Sequence, residues 1–178
     1  MTAERTADLA RIQSDAAIAA FVADHYDRLL RLARLVCRDA SDAADAVQIG
    51  LELAWRRRST LREDARLRPW LDRIVTREAV RISKGRGSLL SRLFTPRPDV
   101  KWIEPTDRHA SEPPNYVALR AAYGHLSAEQ RAVVALHLHF GYSVAETATI
   151  VGAPEETVRS RLRSARQLLR HELEESRP

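Results

Sequence analysis

The stretch SVAETATIVGAPEETVRSRLRSARQLLR, from Ser143 to Arg170, decides the fold. Ser143 and Glu146 have the Ser-x-x-Glu spacing of a capping box, in which each side chain satisfies an otherwise orphaned backbone N–H at the start of a helix. Val144, Ala148 and Val151 then follow at helical spacing and predict its buried stripe. Gly152 ends that helix, because a residue without Cβ turns the chain at little steric cost. Pro154, Glu155 and Glu156 have the composition of a new first turn, with proline early and acids at the positive end of the macrodipole. The second helix carries Val158, Leu162, Ala165 and Leu169 on one stripe. Displaced by one residue runs Arg159, Arg163, Arg166 and Arg170, at the same spacing of four, three and four. Two helices joined by so short a turn, the second apolar on one face and basic on the next, form a helix-turn-helix layout.

In that layout the second helix presents its N-terminal half to a major groove while the first braces it across the backbone. Thr157, Arg159, Ser160 and Arg163 sit near enough to the helix start to reach base edges or phosphates. Arg166 and Arg170 lie a turn or more further on and are expected to touch only backbone or a protein surface. Glu155 and Glu156 repel phosphates, so facing DNA they either accept from a cytosine amino group or orient an arginine. The wider composition agrees with an anionic partner: 27 of the 29 basic residues are Arg, the better fork for phosphates and base edges, and the net charge is +5.

Upstream of this unit, Pro96, Pro98, Pro105, Pro113 and Pro114 fall within a stretch where no helical period survives, which predicts a stiffened connector. On its other side Leu71, Val75, Ala79 and Ile82 again share a helical stripe. No stretch alternates with period two, and no hairpin dipeptide occurs. The expectation is an all-α chain of two small helical domains, 15–88 and 116–173, with a linker over 89–115 that lets the lobes stand apart. Leu89, Leu90, Leu93, Phe94, Trp102 and Ile103 are too many apolar residues for a purely solvated tether, so the linker is expected to find a partner, either the lobes in a closed form or another protein.

The first lobe has its own charge signature. From Arg56 to Arg86 eleven basic residues face four acidic ones, a local charge of +7 that exceeds that of the whole chain. Arg73, Arg77, Arg81 and Lys84 recur at spacings of four, four and three, a stripe suited to tracking phosphates. Trp70, at a helix start beside Leu71 and Ile74, is read as core. On the preceding helix Ala43, Ala46, Val47, Gly50, Leu51 and Ala54 predict the buried stripe, which leaves Asp42, Asp45 and Gln48 on a polar face.

Other function classes find little support. Cys37 is the only cysteine, so neither an internal disulfide nor a zinc knuckle can form. His137 and His139, at i and i+2, point to different sides of a helix, and no metal site is expected. Six glycines include no phosphate-binding loop, and no catalytic residues or cofactor can be nominated. The longest apolar run, Ala16 to Ala23, is far below the roughly 20 residues that span a bilayer. No secretory pattern follows Met1, so no membrane insertion and a cytoplasmic location are expected.

The segments Leu126-Ser-Ala-Glu-Gln-Arg-Ala-Val-Val, Gly141-Tyr-Ser-Val-Ala-Glu-Thr-Ala, Thr157-Val-Arg-Ser-Arg-Leu and Ala165-Arg-Gln-Leu-Leu-Arg resemble the fourth conserved region of bacterial sigma factors. Response-regulator output domains of the LuxR type share some of these pieces, and the first lobe separates the two. Phe21-Val-Ala-Asp-His-Tyr, Leu29-Leu-Arg-Leu-Ala, Asp42-Ala-Ala-Asp-Ala-Val-Gln, Trp55 and Pro69-Trp-Leu-Asp-Arg-Ile-Val are similar to the second region of the extracytoplasmic-function group, whose members carry only regions two and four. The resemblance implies a sigma factor that binds core RNA polymerase and directs promoter-specific initiation by reading two promoter elements. It implies Thr157, Arg159, Ser160 and Arg163 at the minus-thirty-five element. It also implies Arg73, Arg77, Arg81, Ser83 and Lys84 at the opened minus-ten strand, with Ser83, Lys84 and Gly85 lining a pocket for a flipped base. Asp42, Asp45 and Gln48 are implied to dock on the polymerase clamp. Ala44 and Ile49 replace two glutamates common in relatives, which thins the negative charge of that surface, and Thr76-Arg77 stands where an Arg-Asn pair is frequent. Family habit further implies an anti-sigma protein acting in trans. The alternatives are a sigma mimic that sequesters an anti-sigma protein without binding DNA, and a plain helix-turn-helix regulator, which leaves the first lobe without a task.

Overall fold

The computed structural model describes residues 2–58, 67–93 and 114–175, with side chains over 15–16, 18–58, 67–85 and 118–174. Among them every regular element is helical, in the order α1 (Thr2–Val36), α2 (Ala40–Arg56), α3 (Leu67–Leu93), α4 (Pro114–Gly124), α5 (Ala128–Val134), a π-helical turn (Ala135–His139), α6 (Val144–Val151) and α7 (Glu155–Glu175). Helix α3 runs five residues past the expected domain end at 88. Residues 94–113, most of the expected linker, lie outside the described residues.

Helices α1, α2 and α3 build the first lobe. Asp39 starts α2 by accepting the Ser41 N–H at 2.7 Å, which stabilises a helix end whose first donors lack partners. The predicted stripe of α2 is buried at Ala43, Ala46, Val47, Gly50 and Ala54. Gly50 is where α2 and α3 meet closely, since a Cβ there would sit 3.0 Å from Val75 Cγ2 and 3.4 Å from Val75 Cα. Leu29 and Val36 of α1 and Leu71, Val75 and Ala79 of α3 complete the core, with Trp70 half-buried against it, as read from the sequence. Each fully buried leucine contributes about 1.5–3 kcal/mol.

The second lobe packs α4 and α5 against α7, with Leu126, Val133, Val158, Leu162 and Ala165 at its centre. Two capping boxes order it, Ser127 with Gln130 on α5 and Ser143 with Glu146 on α6. The π-helical turn is reported by the Phe140 N–H, which bonds to the Ala135 carbonyl at 3.0 Å, five residues back.

The lobes are packed together. Leu32 of α1 is buried with Ala135, Leu136 and Ile150 of the second lobe, and Leu35, Phe140 and Tyr142 lie half-buried against them. Buried Arg131 donates from Nε to the Val36 carbonyl at 2.7 Å and from a terminal nitrogen to the Leu126 carbonyl at 2.5 Å. A cation of one lobe thus caps the negative C-terminal end of a helix of the other. The Tyr123 hydroxyl lies 3.0 Å from the Leu35 carbonyl, and burial raises its pKa.

Candidate nucleic-acid and polymerase interfaces

The helix-turn-helix forms as its sequence dictates. Ser143 Oγ accepts the Glu146 N–H at 3.2 Å, and the Glu146 carboxylate accepts the Ser143 N–H at 2.8 Å. These bonds to Ser143 hold Glu146 below the usual carboxylate pKa. Gly152 adopts φ 70° and ψ 44°, the left-handed region, and its N–H returns to the Ala148 carbonyl at 2.9 Å. The Pro154 carbonyl accepts the Val158 N–H at 3.1 Å, so proline occupies the cap position and the acids fill the first turn.

On α7 Val158, Leu162 and Ala165 are buried, Leu169 is half-buried, and Arg159, Arg163, Arg166 and Arg170 are all exposed. Ser160 is exposed and Thr157 half-buried. The Arg159 guanidinium is held by Glu155 at 2.6 Å and approaches Glu156 at 3.8 Å. Of the two roles open to these acids, the geometry displays the second, orientation of an arginine. Gln130 braces this helix through Ser164 Oγ at 3.1 Å.

The basic stripe of α3 lies in different surroundings. Arg73, Arg77, Arg81 and Lys84 are exposed. Arg81 is paired with Glu78 at 2.7 Å, and Lys84 forms an ion pair with Glu129 of the second lobe. The Arg77 guanidinium rests against Gly152, in the space a Cβ would take, at the turn of the helix-turn-helix. Partial burial first, then the cations of Arg73 and Arg57, lower the Arg77 pKa. Thr76 is buried, so only Arg77 of the Thr76-Arg77 pair reaches the surface. Ser83 is half-buried with its hydroxyl 3.4 Å from the Val36 carbonyl, directed at α1, whereas Lys84 and Gly85 are exposed.

On α2 one expectation is corrected. Asp45 and Gln48 are exposed as read, but Asp42 is 5% exposed. The reason is register: Asp42, Ala46, Gly50 and Ala54 stand four residues apart, and all four are buried on one face. The exposed face instead continues to Glu52, seven residues beyond Asp45. The sequence reading missed Glu52, although its heptad spacing from Asp45 was the available signal. His137 contacts the Tyr142 carbonyl at 2.7 Å and His139 packs edgewise on Phe140, and no group of three metal-ligating side chains occurs among the described residues.

The family model described as Sigma-70 region 2 matches residues 21–87, and that described as Sigma-70, region 4 matches residues 116–169. The chain is 34% identical over 146 residues to the ECF RNA polymerase sigma factor SigM of Mycobacterium tuberculosis, covering 82% of this chain and 71% of that one. To SigL of the same organism, also an ECF RNA polymerase sigma factor, it is 31% identical over 156 residues, covering 85% and 86%. The fold is similar to that of the sigma factor RpoE solved with the anti-sigma factor NepR from Bartonella quintana, at a TM-score of 0.69 and 24% identity over 89% of this chain and 98% of that one. It is also similar to CnrH solved with the cytosolic domain of CnrY, at a TM-score of 0.59 and 23% identity over 92% and 96%. With two helical lobes that match regions two and four in order, and relatives aligned along most of its length, the chain belongs to the ECF RNA polymerase sigma factors.

Proposed function

We propose that this sigma factor divides its work among three faces: α7 reads a minus-thirty-five element, the α3 stripe holds the opened minus-ten strand, and the exposed face of α2 docks on core RNA polymerase. The observation that carries the reading is α7. There a buried stripe and an exposed arginine stripe run side by side directly after a capped helix and a left-handed Gly152. Thr157, Arg159, Ser160 and Arg163 lie on the turns that enter a major groove, Arg159 already oriented by Glu155. Arg73, Arg77, Arg81 and Lys84 follow the single strand by charge, with Ser83 turned inward beside them. Asp45 and Gln48, extended by Glu52, form the docking face, and Asp42 supports it from within α2.

Strand opening on this reading uses binding alone. Unstacking a base costs a few kcal/mol, which capture beside a basic channel offsets, so the chain itself needs neither nucleotide hydrolysis nor catalytic residues. It works where the polymerase works, in the cytoplasm, and no described helix is long and apolar enough to cross a membrane. An anti-sigma protein is its expected regulator, since the structural neighbour RpoE was solved with the anti-sigma factor NepR. The open arginine face of α7 disfavours a mimic that has no use for DNA.

The test is run-off transcription on a pool of genomic fragments with core polymerase, the chain, or both. Transcripts that need both, and start at a fixed distance from a shared pair of elements, are expected. Transcripts independent of the chain, or none with both present, would sink the reading.

A further inference from the structure

Four arginines share the outward stripe of α7, and the first differs from the rest. Among the described residues Arg159 alone of the four is held in an ion pair, its Nη2 donating to Glu155 Oε2 at 2.6 Å. Glu156 stands 3.8 Å from the other terminal nitrogen, beyond hydrogen-bond reach. Glu155 precedes Arg159 by four residues, the order in which an acid and a base on one helix meet best. The backbone that carries both is fixed. Gly152 turns the chain in the left-handed region, the Pro154 carbonyl accepts the Val158 N–H at 3.1 Å, and Val158, next to Arg159, is fully buried. Gln130 Nε2 donates to Ser164 Oγ at 3.1 Å and braces the same helix.

The pair adds little to folding, because the Arg159 and Glu155 side chains are 50% and 46% exposed and an ion pair in water contributes little stability. Its consequence falls on recognition. An unpaired arginine at a DNA surface goes to the nearest phosphate, which raises affinity for every sequence alike. Glu155 offsets that charge and occupies one of the five guanidinium N–H donors, so the others stay available for a base edge. A guanine offers O6 and N7 to such a planar fork, and reading both requires the group to be held in register. A weaker pull toward phosphates and a fixed fork both widen the gap between the right sequence and a wrong one.

We infer that Glu155 is a positioning residue that sets specificity: it holds Arg159 for a guanine of the minus-thirty-five element and withdraws it from the phosphates. The inference rests on the reading of α7 proposed above. It gives two adjacent acids different tasks, since Glu156 has the charge of Glu155 without its contact. Removing either charge strengthens binding to random duplex, whereas only a change at Glu155 blurs the choice of base.

The experiment uses the full chain with core polymerase and a pool of duplexes carrying a randomised upstream segment. Bound duplexes are sequenced for the unvaried chain, Arg159→Ala, Glu155→Ala, Glu155→Gln and Glu156→Ala, with folding checked by melting temperature. The expected result is a guanine selected by the unvaried chain and lost with Arg159→Ala. Glu155→Ala should weaken that preference about tenfold. Glu155→Gln, which keeps an acceptor for Arg159 but no charge, should restore part of it, and Glu156→Ala should leave it unchanged. On a random duplex followed by fluorescence anisotropy over a range of salt, Glu155→Ala and Glu155→Gln should both bind more tightly, with a log–log salt slope steeper by roughly 0.9, one added phosphate contact. A guanine that depends on Arg159 but is selected as strongly by Glu155→Ala as by the unvaried chain would overturn the inference. So would an equal loss in Glu156→Ala, because charge rather than contact would then set the choice. No selected base in any form, or a selection indifferent to Arg159→Ala, would refute the reading of α7 itself and the inference with it.

Discussion

Helices α7 and α3 carry arginine stripes of nearly the same spacing, yet the structure treats them differently. On α7 all four arginines face outward beside a stripe buried at Val158, Leu162 and Ala165, and the acids that hold Arg159, Glu155 and Glu156, come from the helix's own first turn. On α3 the stripe meets the other lobe at two of four positions, Arg77 at Gly152 and Lys84 at Glu129. The lesson is that spacing establishes a basic face but not whether it is available. A local pattern governs the first property and tertiary packing the second. On the function proposed above, the free chain therefore presents the face assigned to duplex DNA and withholds part of the face assigned to the opened strand.

The largest expected effect lies at the join. Replacing buried Arg131 with alanine strips the Val36 and Leu126 carbonyls of their donor and leaves a cavity, and should lower stability by about 2 to 4 kcal/mol in urea titration. If the loss is under about 0.5 kcal/mol, the helix-end cap across the lobes contributes nothing.

Next come the two arginines proposed for recognition. Arg159→Ala and Arg163→Ala should each weaken duplex binding by about 1 to 3 kcal/mol and selectively where they read a guanine. A phosphate contact would instead lower affinity evenly and flatten the salt dependence. Unchanged binding by both variants would remove the open face from the comparison.

On α2, Asp45→Arg should reduce core association while stability moves by under roughly 0.5 kcal/mol, because the site is exposed. Glu52→Arg should act in the same direction, and Asp42→Asn should act mainly on folding. A competition assay against the unvaried chain for core polymerase separates these outcomes. Equal competition by the Asp45 and Glu52 variants would place the docking face elsewhere.

The smallest effect is one of pH. Glu146 is held below its ordinary value of 4.5 by its bonds to Ser143. Glu129 is also lowered, because although burial raises it, the bond and charge of Lys84 bring it down. A carboxylate whose folded pKa is depressed adds stability above the unfolded value and loses it as pH falls through the folded one. Melting temperature should therefore fall below about pH 4.5, and Glu146→Gln should shrink that fall. An identical acid profile in the variant would show that the capping box carries no charge effect.

How much was legible follows from how local each feature is. The Ser143 box, the Gly152 stop and both stripes of α7 lie within 28 consecutive residues, and period and cap chemistry were enough. The polarity of Asp42 points outward, but its registration with Ala46 and Gly50 on the packed face of α2 decides its burial. Ile150 and Thr147 of α6 are buried although they lie off the predicted stripe, and Ile150 faces the first lobe. The join itself links residues 70 and 95 positions apart, in Asp72 to Tyr142 and Val36 to Arg131, and no periodicity encodes such pairs.

The most direct test compares the two faces in one chain. Binding of the free protein to a random-sequence duplex and to a random single strand is followed by fluorescence anisotropy over a range of salt. The account predicts duplex binding that depends on Arg159 and Arg163, and single-strand binding that is weak until Tyr142→Phe plus Glu129→Gln strengthens it. A single strand held as tightly by the unvaried chain as by that double variant would contradict it.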